Sequence, residues 1–220
     1  EEPAWSLVAS ASRLEDVRNK LTGNLVYSRL PEVYAERFQH SRNQDQGWHL
    51  LGSAGHFLEQ NRSVEGSPEV EDQRFLLGLG YEWGSLRRQA NQGKWAQLWA
   101  TQALYGQGES FTDVAISAGA GGLLAPRCRL ALTLTHHFTD GRTPFLFDEV
   151  DIRSEARSLF DLWLSDSWRV KWQGRLDLEA GKTRDYQVDL SKRTRCLTWT
   201  VYYHFVGEDI GLRFDINGIT

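Results

Sequence analysis

The chain has 220 residues, with 25 Lys and Arg against 29 Asp and Glu, giving a formal net charge of −4 and a pI near 5.9. That balance excludes a general nucleic-acid footprint, which needs a basic excess, and the length suits one domain or one barrel over residues 1–220. Hydrophobic residues make up 40%, mean hydropathy is −0.48, and no apolar run is long enough for a membrane helix.

A hydropathy average is blind to strands that place apolar side chains at every second position. In chain order, residues 5–13 predict a first strand and residues 15–20 a charged loop. Residues 24–39 form a long extended run broken by Pro31, which cannot donate to a ladder and so predicts an edge, a bend or a bulge. A polar turn follows at 41–46. Residues 48–59 alternate again, with Gly52 and Gly55 marking close approach or curvature. An acidic loop spans 60–72. Residues 73–83 put Phe75, Leu77, Leu79, Tyr81 and Trp83 on one phase.

A polar connection at 84–93 leads into a strand at 94–105 carrying Trp95 and Trp99, then a strand at 110–118 and a flexible segment at 119–124. Residues 127–138 place Cys128, Leu130, Leu132, Leu134 and Phe138 opposite Arg127, Arg129, Thr133, Thr135 and His137. After a loop at 139–151 and a strand at 152–164, residues 167–216 alternate almost without a break through four runs. In the first of these, Trp168, Val170, Trp172, Leu176 and Leu178 oppose Arg169, Lys171, Gln173, Arg175 and Asp177. The last strand is expected at 209–217.

A period of two is the strand period, because successive side chains leave opposite faces of a pleated sheet. Runs of about ten residues suit a tilted strand crossing a bilayer, whereas sandwich strands average about five or six. Nine Trp, seven Tyr and ten Phe add an aromatic content that favours membrane interfaces. The pattern predicts an all-β fold, an antiparallel transmembrane β-barrel of about 12 strands, with apolar side chains toward lipid and charged ones toward the lumen. A water-soluble β-sandwich is the competing architecture. An even strand count puts the loops at 60–72 and 139–151 on the same, outer side, where longer loops belong; the connection at 84–93 is long for the periplasmic side.

The candidate lumen- and substrate-facing residues are Arg127, Arg129, Arg169, Lys171, Arg175 and Arg213, all on the polar phase of late strands. Clustered bases in a pore favour anionic solutes or phosphate-bearing head groups. Equally, they serve as a structural ladder paired with Asp177, Asp185, Asp189 and Asp215. Catalysis is not expected: His40 and Ser41 are neighbours, which diverge in a strand, and a polar turn accounts for them. His136 and His137 diverge likewise and lack a third ligand, so neither metal nor cofactor is expected. Cys128 and Cys196 allow one disulfide at most, and Cys128 reads as a free, small apolar residue. Glu1-Glu2-Pro3 has neither the basic head nor the apolar core of a signal peptide, and the chain contains no Met, so a processed form or a fragment is expected.

Two stretches carry a family resemblance. Residues Asp209, Gly211, Phe214 and Ile216 have the spacing of the C-terminal signal by which outer-membrane barrels are recognised for assembly. Ser28-Arg29-Leu30-Pro31-Glu32-Val33 resembles a segment of LptD, the lipopolysaccharide-assembly outer-membrane barrel family. Asp185-Tyr186 and Arg195-Cys196-Leu197-Thr198-Trp199 resemble that family's C-terminal strands. The resemblance covers roughly the C-terminal half of a family barrel. No stretch is similar to the family's N-terminal periplasmic domain, and about twelve strands is fewer than its usual number.

The resemblance implies a bacterial outer-membrane protein that helps pass lipopolysaccharide or a related glycolipid into the outer leaflet. Its implied partners are outer-membrane lipids, the barrel-assembly machinery and a lipoprotein plug. A small passive channel for anionic solutes is the alternative.

Overall fold

Alternation at this length produces strands throughout. The computed structural model describes residues 4–19, 23–40, 46–61, 68–84, 93–205 and 208–216; for residues 4–5, 10–31, 38–40 and 61 the backbone alone is described. Twelve strands run in sequence order: β1 (Ala4–Asn19), β2 (Gly23–His40), β3 (Gln46–Asn61), β4 (Val70–Gly84), β5 (Gly93–Tyr105), β6 (Ser110–Ala125), β7 (Cys128–Gly141), β8 (Ser154–Trp163), β9 (Trp168–Asp177), β10 (Lys182–Arg193), β11 (Leu197–His204) and β12 (Asp209–Ile216). They form one antiparallel sheet in which each strand neighbours the next. A closing β12–β1 pairing is not among the pairings of the described residues. The single 3-10 turn described, Leu146–Asp148, lies between β7 and β8. No described helix is long and apolar enough to cross a membrane, which says nothing of strands.

The fold divides into two compact units. The first comprises residues 1–84, 96–116 and 136–153. Here Trp48 lies opposite Tyr81, Leu50 opposite Leu79, Gly52 opposite Leu77 and Ala54 opposite Phe75. That face is exposed: Leu50, Phe75, Leu77 and Leu79 are each about half accessible. The other face carries Glu32, His49, Ser53, Glu59 and Asp72, all buried.

The second unit comprises residues 85–95, 117–135 and 154–220. Register again sorts the faces, aligning Val170 with Leu190, Leu190 with Val201 and Val201 with Leu212 across β9 to β12. Leu212, Phe214 and Ile216 are exposed, whereas Glu155, Asp161, Asp189 and Thr200 are buried. Among the described residues six apolar side chains are buried against ten polar or charged ones. A soluble sheet shows the reverse, because burying an ionised group in an apolar interior is costly.

The strand count and the antiparallel order match the sequence expectation. Pro31 sits at a bulge, since the β2–β3 register slips between Arg29 and Glu32; a residue without an N–H is least costly where the ladder is already interrupted.

Several boundaries differ. The expected charged loop at 15–20 is strand as far as Asn19, with Glu15 opposite Tyr27 and Val17 opposite Leu25. The expected flexible segment at 119–124 is part of β6. At Gly119 the Trp95 indole occupies the place of a side chain: a Cβ there would stand 2.4 Å from its Nε1. An aromatic ring laid over glycine supplies the packing that glycine lacks. Strand β7 continues to Gly141, into the expected loop at 139–151, and β8 starts at Ser154 rather than at 152. Ser41 lies outside the described residues, as do residues 42–45 of the expected turn and the end of the expected last strand at 217.

Candidate functional site

The polar faces of the two units carry different chemistry. In the first unit the segment after β7 folds onto that face. Phe145 is fully buried, with ring centroids 6.0 Å from Phe57, 5.8 Å from Tyr105 and 4.8 Å from Phe147. Its entry is fixed locally by Thr143, whose hydroxyl accepts from the Phe145 N–H at 3.0 Å and donates to the Phe145 carbonyl at 3.1 Å.

Polar contacts secure the same segment. The Phe147 N–H donates to Glu59 Oε2 at 3.0 Å, and the Tyr105 hydroxyl donates to Asp148 Oδ2 at 2.9 Å. Arg74 pairs with Asp148 and stands 3.5 Å from Glu32, while its guanidinium lies 4.4 Å from the centroid of the Phe57 ring. Burial pushes the Asp148 carboxyl above the ordinary carboxylate range, and the Arg74 charge works against that shift. The result is a pinned segment, with an apolar plug of Phe145 and Phe147 and an ion pair beneath it.

In the second unit the polar face is a ladder of paired charges. Arg169 makes a two-bond fork to Asp161, at 2.6 Å for each bond. Arg175 forks to Glu155 at 2.9 and 2.8 Å, and Arg157 shares the same carboxylate. Arg184, at a register slip in β10, forks to Asp177. His204 Nε2 stands 2.9 Å from Asp185 Oδ1. Gln173 donates to Gln187 at 3.3 Å, and Gln187 donates to Asp189 at 2.5 Å. Planar guanidinium–carboxylate forks fix geometry as well as charge.

The six basic residues picked from sequence fall out unevenly. Arg169, Lys171 and Arg175 lie together on β9, with Lys171 in register between Asp161 and Asp189. Arg213 is half exposed and 3.5 Å from Asp215 on its own strand. Arg129 is exposed on β7. Arg127 lies in the turn before β7, where it pairs with the exposed Asp166 at 2.6 Å. Of the four acids expected as ladder partners, Asp215 meets one of these six bases, Asp177 takes Arg184 and Asp185 takes His204. The buried partners that sequence reading missed are Asp161 and Glu155, whose odd-numbered phase on β8 matches Arg157 and is visible only once the strand is placed.

Also missed was the Arg74–Asp148 pair. Its one sequence signal is Pro144-Phe145-Leu146-Phe147, an apolar run inside an otherwise polar connection. His136 and His137 separate as their alternation predicts: His136 packs on Phe138, and His137 Nδ1 lies 3.0 Å from both Asp113 oxygens. No group of three candidate metal ligands occurs among the described residues. Both cysteines are free, Cys128 half-buried and Cys196 exposed.

Along β12, Ile210, Leu212, Phe214 and Ile216 are exposed, and Gly211 lies opposite Tyr202. A Cβ at Gly211 would stand 2.1 Å from the Tyr202 ring, so the glycine of the expected assembly signal is also a packing requirement.

These features define an all-β protein of twelve described antiparallel strands, with an exposed apolar face and a buried charged one in each unit. No protein-family model matches the chain, and no curated protein is similar to it in sequence.

Proposed function

We propose that this chain is the membrane-embedded β-barrel of a bacterial outer-membrane protein that helps deliver lipopolysaccharide or a related glycolipid to the outer leaflet. The observation that supports it is the inverted burial: bands of Leu, Phe and Ile are exposed on strands of bilayer-crossing length, and Glu, Asp and Thr are buried. Lipid covers the first face and a wet lumen solvates the second. The glycolipid cargo is drawn from the resemblance of residues 28–33 and of the last strands, and guanidinium groups such as those of Arg129 and Arg157 are of the kind that bind phosphorylated head groups. Outer-membrane lipids, the barrel-assembly machinery and a lipoprotein plug are the partners of this reading.

The test has two stages. The chain is purified with and without detergent, and heated and unheated samples are compared on a denaturing gel. A detergent requirement and a heat-modifiable band support the barrel, and a monodisperse protein in plain buffer refutes it. Depletion in cells then separates the cargoes: surface lipopolysaccharide falls if the glycolipid reading holds. A passive anion channel, favoured by the exposed Arg129 and Arg157, instead conducts alone in a planar bilayer and leaves surface lipopolysaccharide unchanged.

A further inference from the structure

Within the second unit, the end of β7 to β12 that holds the turns at 126–127, 164–167 and 194–196 carries more base than acid. Arg127 pairs there with Asp166, Arg169 with Asp161 and Arg213 with Asp215. The buried Asp189 lies on the polar face opposite Lys171 in register, and those two charges offset. Arg129, Lys192, Arg193 and Arg195 are left without a carboxylate partner among the described residues. The last three belong to one hairpin, β10–β11.

Lys192 is set apart from the others because it stands on the apolar phase of its strand, with Val188 and Leu190. Register places it between Trp168 on β9 and Trp199 on β11, and places Trp199 opposite Phe214. The two indoles meet edge to face with centroids 5.4 Å apart, and the Lys192 ammonium is 5.1 Å from the centroid of the Trp168 ring. None of the residues in this row is acidic. An ammonium among lipid-facing side chains is tolerated where its stem carries the charge out to the head groups, and Lys192 is one residue from the end of β10. Trp settles at the same level.

The adjoining turn is built to hold its shape. The Thr194 hydroxyl donates to the Leu197 carbonyl at 2.8 Å and accepts from the Leu197 N–H at 3.2 Å. Arg195 is exposed in that turn, and Arg193, on the other phase, adds to the positive potential from the strand end. A soluble anion would meet these bases and leave the exposed Leu190, Phe214 and Ile216 bare. A neutral lipid would cover the apolar residues and leave the bases unanswered. A lipid with a negative head group answers both. With the loop at 139–151 outside, strand parity puts the turn at 194–196 on the periplasmic side, where the leaflet is phospholipid.

We propose that the β10–β11 turn is a binding site for an anionic phospholipid, with its phosphate on Lys192 and Arg195 and its acyl chains against the Trp168, Trp199 and Phe214 row. The proposal rests on the membrane-barrel reading, since it needs the apolar face to meet lipid.

The experiment mixes the full chain, in a neutral detergent, with dioleoyl phosphatidylglycerol or dioleoyl phosphatidylcholine and counts bound lipid by native mass spectrometry. Parent and variants are first compared heated and unheated on a denaturing gel, so that only folded protein is scored. Phosphatidylglycerol should be held about tenfold or more tightly. Lys192→Gln and Arg195→Gln should each remove about fivefold of that preference, the worth of one base at an anionic surface. The double variant should bring the two lipids level, and Lys192→Arg should keep the preference. Lys182→Gln, which removes an exposed base at the opposite end of β10, should change nothing.

Equal retention of the two lipids by a heat-modifiable protein overturns the proposal and leaves the barrel standing. So does a double variant that keeps the preference, or a loss with Lys182→Gln as large as with Lys192→Gln, which would make the effect one of net charge. Glycerol phosphate that competes as well as the whole lipid reveals a soluble-anion site, and purified lipopolysaccharide that displaces phosphatidylglycerol at equal concentration assigns the turn to the other leaflet's lipid; either result overturns the proposal. A chain that is monodisperse in plain buffer removes the barrel reading and this site with it.

Discussion

Replacing Phe145 by Ala tests whether the segment between β7 and β8 is a docked plug or an integral part of the sheet. Its ring is fully buried against Phe57, Tyr105 and Phe147. Truncating a buried Phe costs roughly 3–5 kcal/mol where the surroundings cannot collapse. The segment can leave as a unit, however, so the loss falls on docking rather than on the whole fold. What remains is the Arg74–Asp148 pair, the Tyr105–Asp148 bond and the Phe147–Glu59 bond, each worth about 0.5–3 kcal/mol net. Docking should therefore survive but weaken by about a hundredfold or more.

Hydrogen exchange read by mass spectrometry measures this, with peptides from residues 142–153 compared with peptides from β9 and β10. The expected result is faster exchange confined to 142–153. Unchanged exchange there would refute the argument that Phe145 holds the segment. Equal acceleration in β9 and β10 would refute its independence, making Phe145 part of a global core.

Three further outcomes are expected. Because burial raises the folded Asp148 value above the unfolded one, protonation favours the docked state: this contribution is fully present below the ordinary aspartate range near ~3.9 and is lost as pH rises through the elevated value. Protection of 142–153 should thus fall with rising pH in the parent, and Asp148→Asn should flatten that dependence; an unaltered profile in the variant removes Asp148 as its source. Leu132→Arg, on the exposed apolar face, should cost about 2–4 kcal/mol of stability in vesicles if the face meets the bilayer midplane, and equilibrium unfolding with no loss would place that face in water. Gly211→Val should lower folding yield because Tyr202 occupies the space, and Tyr202→Ala in the same chain should recover part of it; a variant that folds like the parent removes the packing role.

How much was legible in advance follows from the range of each interaction. The sorting of Leu130, Leu132 and Leu134 from Arg129, Thr133 and Thr135 is set by the pleat of one strand, so it can be read without knowing any neighbour. The bulge at Pro31 is equally local. The partner of each charge is not. Arg175 lies in register with both Arg157 and Asp185, and its two-bond fork goes diagonally to Glu155. That choice depends on side-chain reach across two strands. The same holds for the strand status of 119–124: glycine-rich sequence reads as flexible until the ring of Trp95 is laid over Gly119.

By itself, then, the sequence determined the all-β class, the number and order of strands, and which residues share a face, because period two is a property of a single extended backbone. Only the tertiary structure decided that the charged face is the buried one, since burial depends on what stands opposite. It also decided that Asp148 meets Arg74 across 74 residues and that Arg157 and Arg175 share one carboxylate. Those contacts are set by register between strands and by a connection folding back onto the sheet, and neither leaves a periodic trace in the chain.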